Sequence, residues 1–189
     1  MTLKRNILAP LFKAKDVFGR TIDLNDYRDS KVLLAFFRHA GCPFCNLRVH
    51  ELSKAHEELK AKGLEMIFFF ESKEKVILRS SFHTGVSPIP IVSDPEKFWY
   101  NAYGLETSAY KSTMSHLTSF VQAVIKAKSI GAPVHMMADG ESINTIPAEF
   151  LIDKGHVIKK LHYSQRLDDR MEMSDIKKFA ENSAIFDSE

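Results

Sequence analysis

Lys31-Val32-Leu33-Leu34-Ala35-Phe36-Phe37-Arg38 runs directly into His39-Ala40-Gly41-Cys42-Pro43-Phe44-Cys45, and this junction decides how the chain folds. The continuous apolar run suits a strand buried on both faces, hence a central strand over Lys31 to Arg38. From Pro43 to Lys62, Leu47, Leu52, Ala55 and Leu59 recur at helical spacing, and Gly63 stops the helix. Pro43 suits the first helical position, where its missing N–H costs nothing. Cys42 then falls at the N-cap, so both cysteines of the chain sit at a strand-to-helix corner.

That placement predicts redox chemistry. The first turn of a helix brings positions i and i+3 within the Cα separation of about 4.4 to 6.8 Å that a disulfide needs. Unpaired N–H groups and the positive end of the helix dipole favour a thiolate there. Cys42 is the expected attacking thiol. Cys45, one turn in and less exposed, is the expected resolving thiol, attacking a mixed disulfide at Cys42. Arg38 follows a buried strand and could turn its charge onto Cys42, while Arg48 could do the same from α-helical position or stand exposed. His39 could take protons but has no partner evident in the sequence. Two bland readings compete: a buried pair without chemistry, which leaves the corner location unaccounted for, and a zinc site, for which His39 and His50 are wrongly spaced. No metal and no organic cofactor is expected.

At 189 residues, with 44% hydrophobic and 26% charged residues, the chain fits a single domain, 1–189, with a substantial core. A formal net charge of +2, with Lys and Arg dispersed, gives no electrostatic case for nucleic acid or a membrane surface. Met1 to Arg20 lacks the apolar segment of a signal peptide and no stretch reaches bilayer-spanning length, so a cytoplasmic location is expected. There a close cysteine pair is expected to cycle.

Around the junction, Lys15 to Leu24 reads as a hairpin turning near Gly19, and Leu64 to Phe70 as a second buried strand parallel to the first. Ser72 is the expected cap of a helix reaching about His83, before Gly85, Pro88 and Pro90 break the pattern. Ile91 to Pro95 suggests a short strand, followed by a helical segment holding Trp99 and Tyr103, with Trp99 in the core. From about Ser112 to Lys128, Met114, Leu117, Phe120, Val121, Val124 and Ile125 form one apolar stripe, read as core packing. Pro147 to Asp153 and His156 to Tyr163 form an antiparallel hairpin around Lys154-Gly155. Ser174 is the expected cap of a last helix carrying Ile176, Phe179 and Ala180. His162, Tyr163 and Arg166 are read as surface residues.

Ala9-Pro10-Leu11-Phe12, Asp16-Val17-Phe18-Gly19-Arg20 with Asp23-Leu24, the strand Lys31 to Arg38, and Pro147 to Asp153 with Gly155 and Val157-Ile158 follow in an order that resembles the thioredoxin superfamily. More specifically they are similar to its peroxiredoxin-like branch, the alkyl hydroperoxide reductase and thiol-specific antioxidant group. The likeness spans roughly Ala9 to Phe186, apart from a helical insertion near 104 to 135. It implies an α/β thioredoxin-like fold: a central mixed sheet flanked by helices, with an N-terminal hairpin. It also implies a cis Ile146-Pro147 bond facing the cysteines, whose backbone could receive an extended substrate chain; the alternative is a trans proline starting a strand.

The departures from that group bear on function. Peroxide-reducing members usually carry Pro-x-x-x-Thr-x-x-Cys. With Cys45 in the peroxidatic place, Cys42 replaces the threonine and Arg38 the proline; aligning Cys42 instead gives His39 and Ala35. The family arginine before the late strand is replaced by Pro147. Donors held ready for the departing oxygen are therefore lost. The first expectation is a thiol-disulfide oxidoreductase cycling Cys42 and Cys45, supported by Arg38, Pro43, Arg48, Ile146 and Pro147. The second is a thiol peroxidase acting through a cysteine sulfenic acid. The third is a redox-switched binding protein. Expected partners are a thiol or disulfide protein substrate or a hydroperoxide, and a cellular dithiol reductant; a homodimer is left open.

Overall fold

The computed structural model describes residues 2–105, 107, 120–135, 141–142 and 144–186. A two-stranded antiparallel hairpin, β1 (Lys13–Lys15) and β2 (Thr21–Asp23), precedes the main sheet. Its turn is organised by Asp16, whose carboxylate accepts from the N–H groups of Phe18 and Arg20 and from the Arg20 guanidinium. The main sheet has the order β5-β4-β3-β6-β7. Its centre is β3 (Lys31–Phe36), as the apolar run predicts, with β4 (Leu64–Phe70) parallel on one side and β6 (Ala148–Asp153) antiparallel on the other. A short β5 (Ile91–Ser93) runs parallel to β4, and β7 (Val157–Tyr163) antiparallel to β6. This is the mixed sheet of a thioredoxin-like fold.

Because side chains alternate across a strand, the sheet splits the core in two. Leu33, Ala35, Phe37, Met66, Phe68, Phe70 and Leu151 face the layer that holds α1 (Pro43–Ala61) and the C-terminal helix, through Val49, Leu52, Leu59, Ile176 and Phe179. Val32, Leu34, Phe36, Ile67, Phe69, Phe150 and Ile152 face the opposite layer, with Phe12, Ile22, Leu24, Tyr100 and Tyr103. Phe36 is the hub of that second layer, its ring 4.7 Å from Phe69, 5.1 Å from Tyr100, 5.0 Å from Tyr103 and 6.0 Å from Phe150.

The helices depart from the sequence expectations in several places. The helix expected from Ser72 to His83 is two short ones, α2 (Glu74–Ile77) and α3 (Ser81–Thr84). Ser72 caps neither, because its hydroxyl is used elsewhere, while Ser80 caps α3 by accepting from Phe82 N–H. Next comes α4 (Phe98–Ala102), whose Trp99 is half-buried against the Phe36 layer. Residues 120–129 form α5; Met114 and Leu117 of the expected stripe lie outside the described residues. Within α5 the inward face is not the expected one: Ala123 and Ala127 are buried, whereas Val121 and Ile125 are 70% and 65% exposed. In α6 (Met173–Glu181) the N-cap is Glu172, and Ser174 lies inside the first turn. No helix among the described residues is long and apolar enough to cross a membrane.

On β6, Glu149 shares the face of Leu151 and so points into the α1 layer, where Arg48 meets it. Arg48 Nε and Nη2 lie 2.8 and 2.9 Å from the two carboxylate oxygens. Arg48 also donates to Met171 O at 2.8 Å and to Glu51 at 2.8 Å, and Glu149 accepts from Met171 N–H at 3.0 Å. Arg48 is therefore neither an exposed helix arginine nor aimed at the thiols. Burial disfavours its charge, but Glu149 outweighs that and holds its pKa above the usual arginine value.

Two stability predictions follow from this packing. Phe36→Ala is expected to cost about 3–5 kcal/mol in urea unfolding, because the cavity sits among packed rings. Glu149→Leu, which strips buried Arg48 of its bidentate carboxylate and leaves only the exposed Glu51 as counter-charge, is expected to cost about 3 kcal/mol, while the double change Glu149→Leu/Arg48→Met recovers most of that loss.

Candidate active site

Arg38 to Ala40 leave the C-terminal end of β3, Glu71 and Ser72 leave β4, Asp94 leaves β5, and Thr145 to Pro147 enter the antiparallel β6. All four segments therefore meet at one edge of the sheet, the edge where open α/β sheets place their sites. The segment between β3 and α1 is bound on every side. Arg38 O accepts from Glu71 N–H at 3.3 Å, and Ala40 N–H donates to Ser72 Oγ at 2.7 Å, with the Ser72 hydroxyl donating in turn to Glu141. Cys42 N–H closes a turn onto His39 O at 3.0 Å, and Asn46 N–H donates to Cys42 O at 3.0 Å. Glu71 is itself fully buried and held by Lys97 at 2.9 Å, Thr145 Oγ1 at 2.7 Å and Ser142 N–H at 3.0 Å.

Asn46 ties this corner to two other parts of the chain. Its amide nitrogen donates at 2.8 Å to both Ala40 O and Pro133 O, which leaves Oδ1 as the acceptor facing His83 Nε2 at 3.1 Å. His83 is therefore protonated on Nε2, and its Nδ1 is buried without a hydrogen-bond partner. Burial, with a smaller contribution from His135, lowers the His83 pKa to about 4. It is a neutral structural group at ordinary pH. Beside it, the exposed His135 covers Gly41 so closely that an added Cβ would lie 2.7 Å from its ring. Sequence reasoning missed Asn46, His83, Ser72 and Glu71, since each works by reaching a segment distant in the chain. The order of acidic and polar residues directly after β4 was the one available signal.

Pro43 opens α1 as expected, and Cys42 is its N-cap in extended backbone conformation. Both thiols are free, and both are buried: Cys42 is 1% and Cys45 0% exposed. The expected exposure of Cys42 is thus absent, because the 38–42 turn is folded under Ser72 and roofed near residues 133–135. Arg38, also buried, touches both sulfurs. Its backbone N–H donates to Cys45 Sγ at 3.4 Å, and its Nη1 lies 3.8 Å from Cys42 Sγ.

The two thiols ionise in opposite directions. Desolvation is the largest influence on Cys42 and opposes its charge, yet a hydrogen bond from Cys45 and the Arg38 charge prevail and bring its pKa down to about 6. For Cys45, desolvation, the hydrogen bond it gives to Cys42 and the negative charge of Cys42 all act upward, so its pKa rises well above the usual thiol value. The resting pair is a Cys42 thiolate hydrogen-bonded by a neutral Cys45 thiol.

Of the other expected residues, Ile146 packs in the same apolar cluster as Ala40, Cys42 and Cys45. The Ile146-Pro147 bond is trans, correcting the cis expectation. Pro147 is buried at the entry to β6, where no N–H is required, and its carbonyl is already occupied by Ser164 N–H at 3.1 Å. His39 lies beside Glu141, its Nδ1 3.8 Å from the carboxylate. His162 pairs with Asp169 at 2.9 Å and Arg166 with Asp168 at 3.0 Å. No group of three His, Cys, Asp or Glu side chains poised for a metal occurs among the described residues.

Comparison with known proteins gives this arrangement a family. The AhpC/TSA family profile matches residues 7–161. A Mycobacterium tuberculosis protein named as a peroxiredoxin is 26% identical over 121 residues, 63% of this chain and 72% of the relative. Peroxiredoxin Bcp of Escherichia coli K12 is 29% identical over 77 residues, 41% of this chain and 49% of its own length. In structure, the chain is similar to peroxidoxin BcpB from Mycobacterium tuberculosis, with a TM-score of 0.63 at 13% identity, over 98% of this chain and 97% of that one. It is also similar to the reduced 2-Cys peroxiredoxin of Plasmodium vivax, with a TM-score of 0.65 at 15% identity, over 97% and 83%. With its thioredoxin-like sheet and paired thiols, the chain belongs to the AhpC/TSA family of thiol-dependent oxidoreductases and peroxidases.

Proposed function

We propose that the chain acts as one domain, 1–189, that exchanges dithiol and disulfide states at Cys42 and Cys45, with protein disulfides as its substrates. The observation that carries this reading is the position of Arg38, whose guanidinium lies against Cys42 while its N–H lies against Cys45. Cys42 thiolate attacks a substrate sulfur, the substrate S–S bond breaks, and one substrate thiolate leaves. The mixed disulfide carries no charge at Cys42, so two of the influences that hold Cys45 protonated vanish, although its burial remains. Cys45 then loses its proton and attacks Cys42 Sγ, releasing the second substrate thiol. The substrate is reduced by two electrons and the pair is oxidised to a disulfide, to be restored by a cellular dithiol. Pro43 sets the helix start, and Ile146 packs in the apolar cluster that holds the pair, with Pro147 following it into β6. Arg48 supports the site by fixing α1 to β6. Entry of a substrate requires displacement of the cover near His135.

A second reading, peroxide reduction, is favoured by the same Arg38 and by the family. Here Cys42 thiolate attacks a peroxide oxygen, the O–O bond breaks and the alcohol or water leaves; Cys45 then condenses with the sulfenic acid, releasing water. The missing threonine and family arginine weigh against it. A binding protein switched by the redox state of the pair is the third reading. A reducing, cytoplasmic setting suits a pair of free thiols. The simplest assembly is a homodimer through the face of α5 carrying the exposed Val121 and Ile125.

Three outcomes are expected. Thiolate absorbance at about 240 nm should titrate near pH 6 in the reduced protein, and move upward in Arg38→Met. Because the Cys42 pKa is depressed from 9.0 to about 6 in the folded state, the reduced protein should gain stability over Cys42→Ser as pH rises from about 6 to about 9, and lose that advantage as pH falls through about 6. Cys45→Ser should accumulate mixed disulfides with protein substrates whereas Cys42→Ser traps none; equal trapping by both would sink the assigned roles. Stopped-flow oxidation by hydrogen peroxide ranks the readings: a rate no faster than that of free cysteine supports disulfide exchange, and a rapid second-order loss of both thiols supports the peroxidase.

A further inference from the structure

Asn46 follows Cys42 by one turn of α1, and its backbone N–H donates to Cys42 O at 3.0 Å. Its carboxamide is fully buried and every polar position on it is used. Nδ2 gives one N–H to Ala40 O and the other to Pro133 O, both at 2.8 Å, and Oδ1 accepts from His83 Nε2 at 3.1 Å. The orientation is fixed, because the two carbonyls beside Nδ2 can only accept.

The three partners differ in what binding requires of them. Ala40 belongs to the turn that carries Cys42, and His83 is buried in α3. Pro133 belongs to the cover, residues 132–135, which leaves α5 through Gly131 at a φ of +71° and puts the exposed His135 ring over Gly41. Since Cys42 is buried, a substrate reaches it only when this cover moves, and the bond to Pro133 O is the one that the movement breaks. What replaces that carbonyl sets the cost of opening. A small disulfide leaves the N–H to water, against which an intramolecular hydrogen bond is favoured by about fivefold. An extended polypeptide joined to Cys42 carries a carbonyl about every 3.3 to 3.6 Å, which brings one to a donor a single helical turn away, so the exchange is nearly neutral.

We propose that Asn46 is a specificity-determining residue, whose Nδ2 passes from the Pro133 carbonyl of the cover to a backbone carbonyl of the substrate, so that the site opens readily for a polypeptide disulfide and reluctantly for a small one. The proposal rests on the dithiol–disulfide reading of the pair. The cover then stands where substrate backbone will lie. Gly41 agrees with this, because it does not adopt a left-handed conformation and its missing Cβ therefore serves close approach. An added Cβ would lie 2.7 Å from the His135 ring. The surface beside Cys42 thus lets a chain pass as closely as it now lets His135 lie.

The test follows oxidation of the whole chain, starting reduced, by intrinsic fluorescence with thiol counting in quenched samples. It compares bis(2-hydroxyethyl) disulfide with the symmetrical disulfide of a short glycine–alanine peptide carrying a central cysteine. Rates are taken at equal Cys42 thiolate concentration and divided by those of dithiothreitol with the same disulfide, which removes intrinsic reactivity. The wild-type protein is expected to favour the peptide disulfide by about fivefold. In Asn46→Leu, which has no donor, the hydroxyethyl disulfide should react about fivefold faster while the peptide disulfide keeps its rate within about twofold, so the preference disappears. His135→Ala, which thins the cover and keeps Asn46, should retain the preference. Absence of preference in the wild-type protein overturns the proposal without any variant having to fold. Equal acceleration of both disulfides in Asn46→Leu also overturns it, since Asn46 would then be a simple latch, and so does equal slowing, which marks a merely structural residue. If the wild-type protein exchanges with neither disulfide, the dithiol–disulfide reading fails as well, an outcome distinct from exchange without preference.

Discussion

One buried arginine, its guanidinium on one sulfur and its backbone N–H on the other, governs the chemistry of this protein. Arg38 leaves the end of the central strand at the point where the chain must turn into α1, and there its N–H reaches Cys45 while its charge reaches Cys42. Charge inside a protein is tolerated when it is compensated. A thiolate at Cys42 supplies compensation, and the same contact makes that sulfur the reactive one. Oxidation to a disulfide removes the negative charge, so the Arg38 contact favours the dithiol form of the pair and makes its disulfide more readily reduced. The rest of the site depends on the backbone being held for this contact, which is the work of Ser72, Glu71 and Asn46.

The polar groups at this edge form a connected set rather than separate pairs. Glu71 and Ser72, adjacent in sequence, point to different targets: Glu71 gathers Lys97, Thr145 and Ser142, and Ser72 links Ala40 to Glu141. Each buried group is costly if left unmatched and stiffens the loops when matched. Asn46 adds α1, α3 and the 133 region to the same frame. On the far side of α1, Arg48 and Glu149 lock the helix to the antiparallel half of the sheet. The cysteines therefore sit on a helix start fixed at both ends of its first two turns.

Much of the fold was legible because it is written in local pattern. The run from Val32 to Phe37, the helical spacing after Pro43, the stop at Gly63 and the turn at Lys154-Gly155 each place an element by steric and hydrophobic rules that act within a few residues. The places where such reasoning failed involve competition from distant groups. Ser72 has the residue type of a cap, but Ala40 N–H claims its hydroxyl. The apolar residues of α5 suggest one buried stripe, but the two alanines face the core and Val121 and Ile125 remain outside. Pro147 stands where the family likeness implies a cis bond, yet it enters β6 in trans with its carbonyl taken by Ser164.

The sequence by itself determined that two thiols would share a helix start after a buried strand, and hence that the chain could carry redox chemistry, because reactive spacing and the helix dipole are local properties. Tertiary structure decided which charge meets which sulfur. Two arginines flank the cysteines at nearly equal distance along the chain, and only the opposing strand β6, through Glu149, draws Arg48 away and leaves Arg38 on Cys42. It also decided that the thiols lie covered and that Arg170, far away in sequence, brings a second positive charge to bear on them. Such pairings depend on which segments the sheet order brings together, and a buried charge is settled by its nearest partners in space.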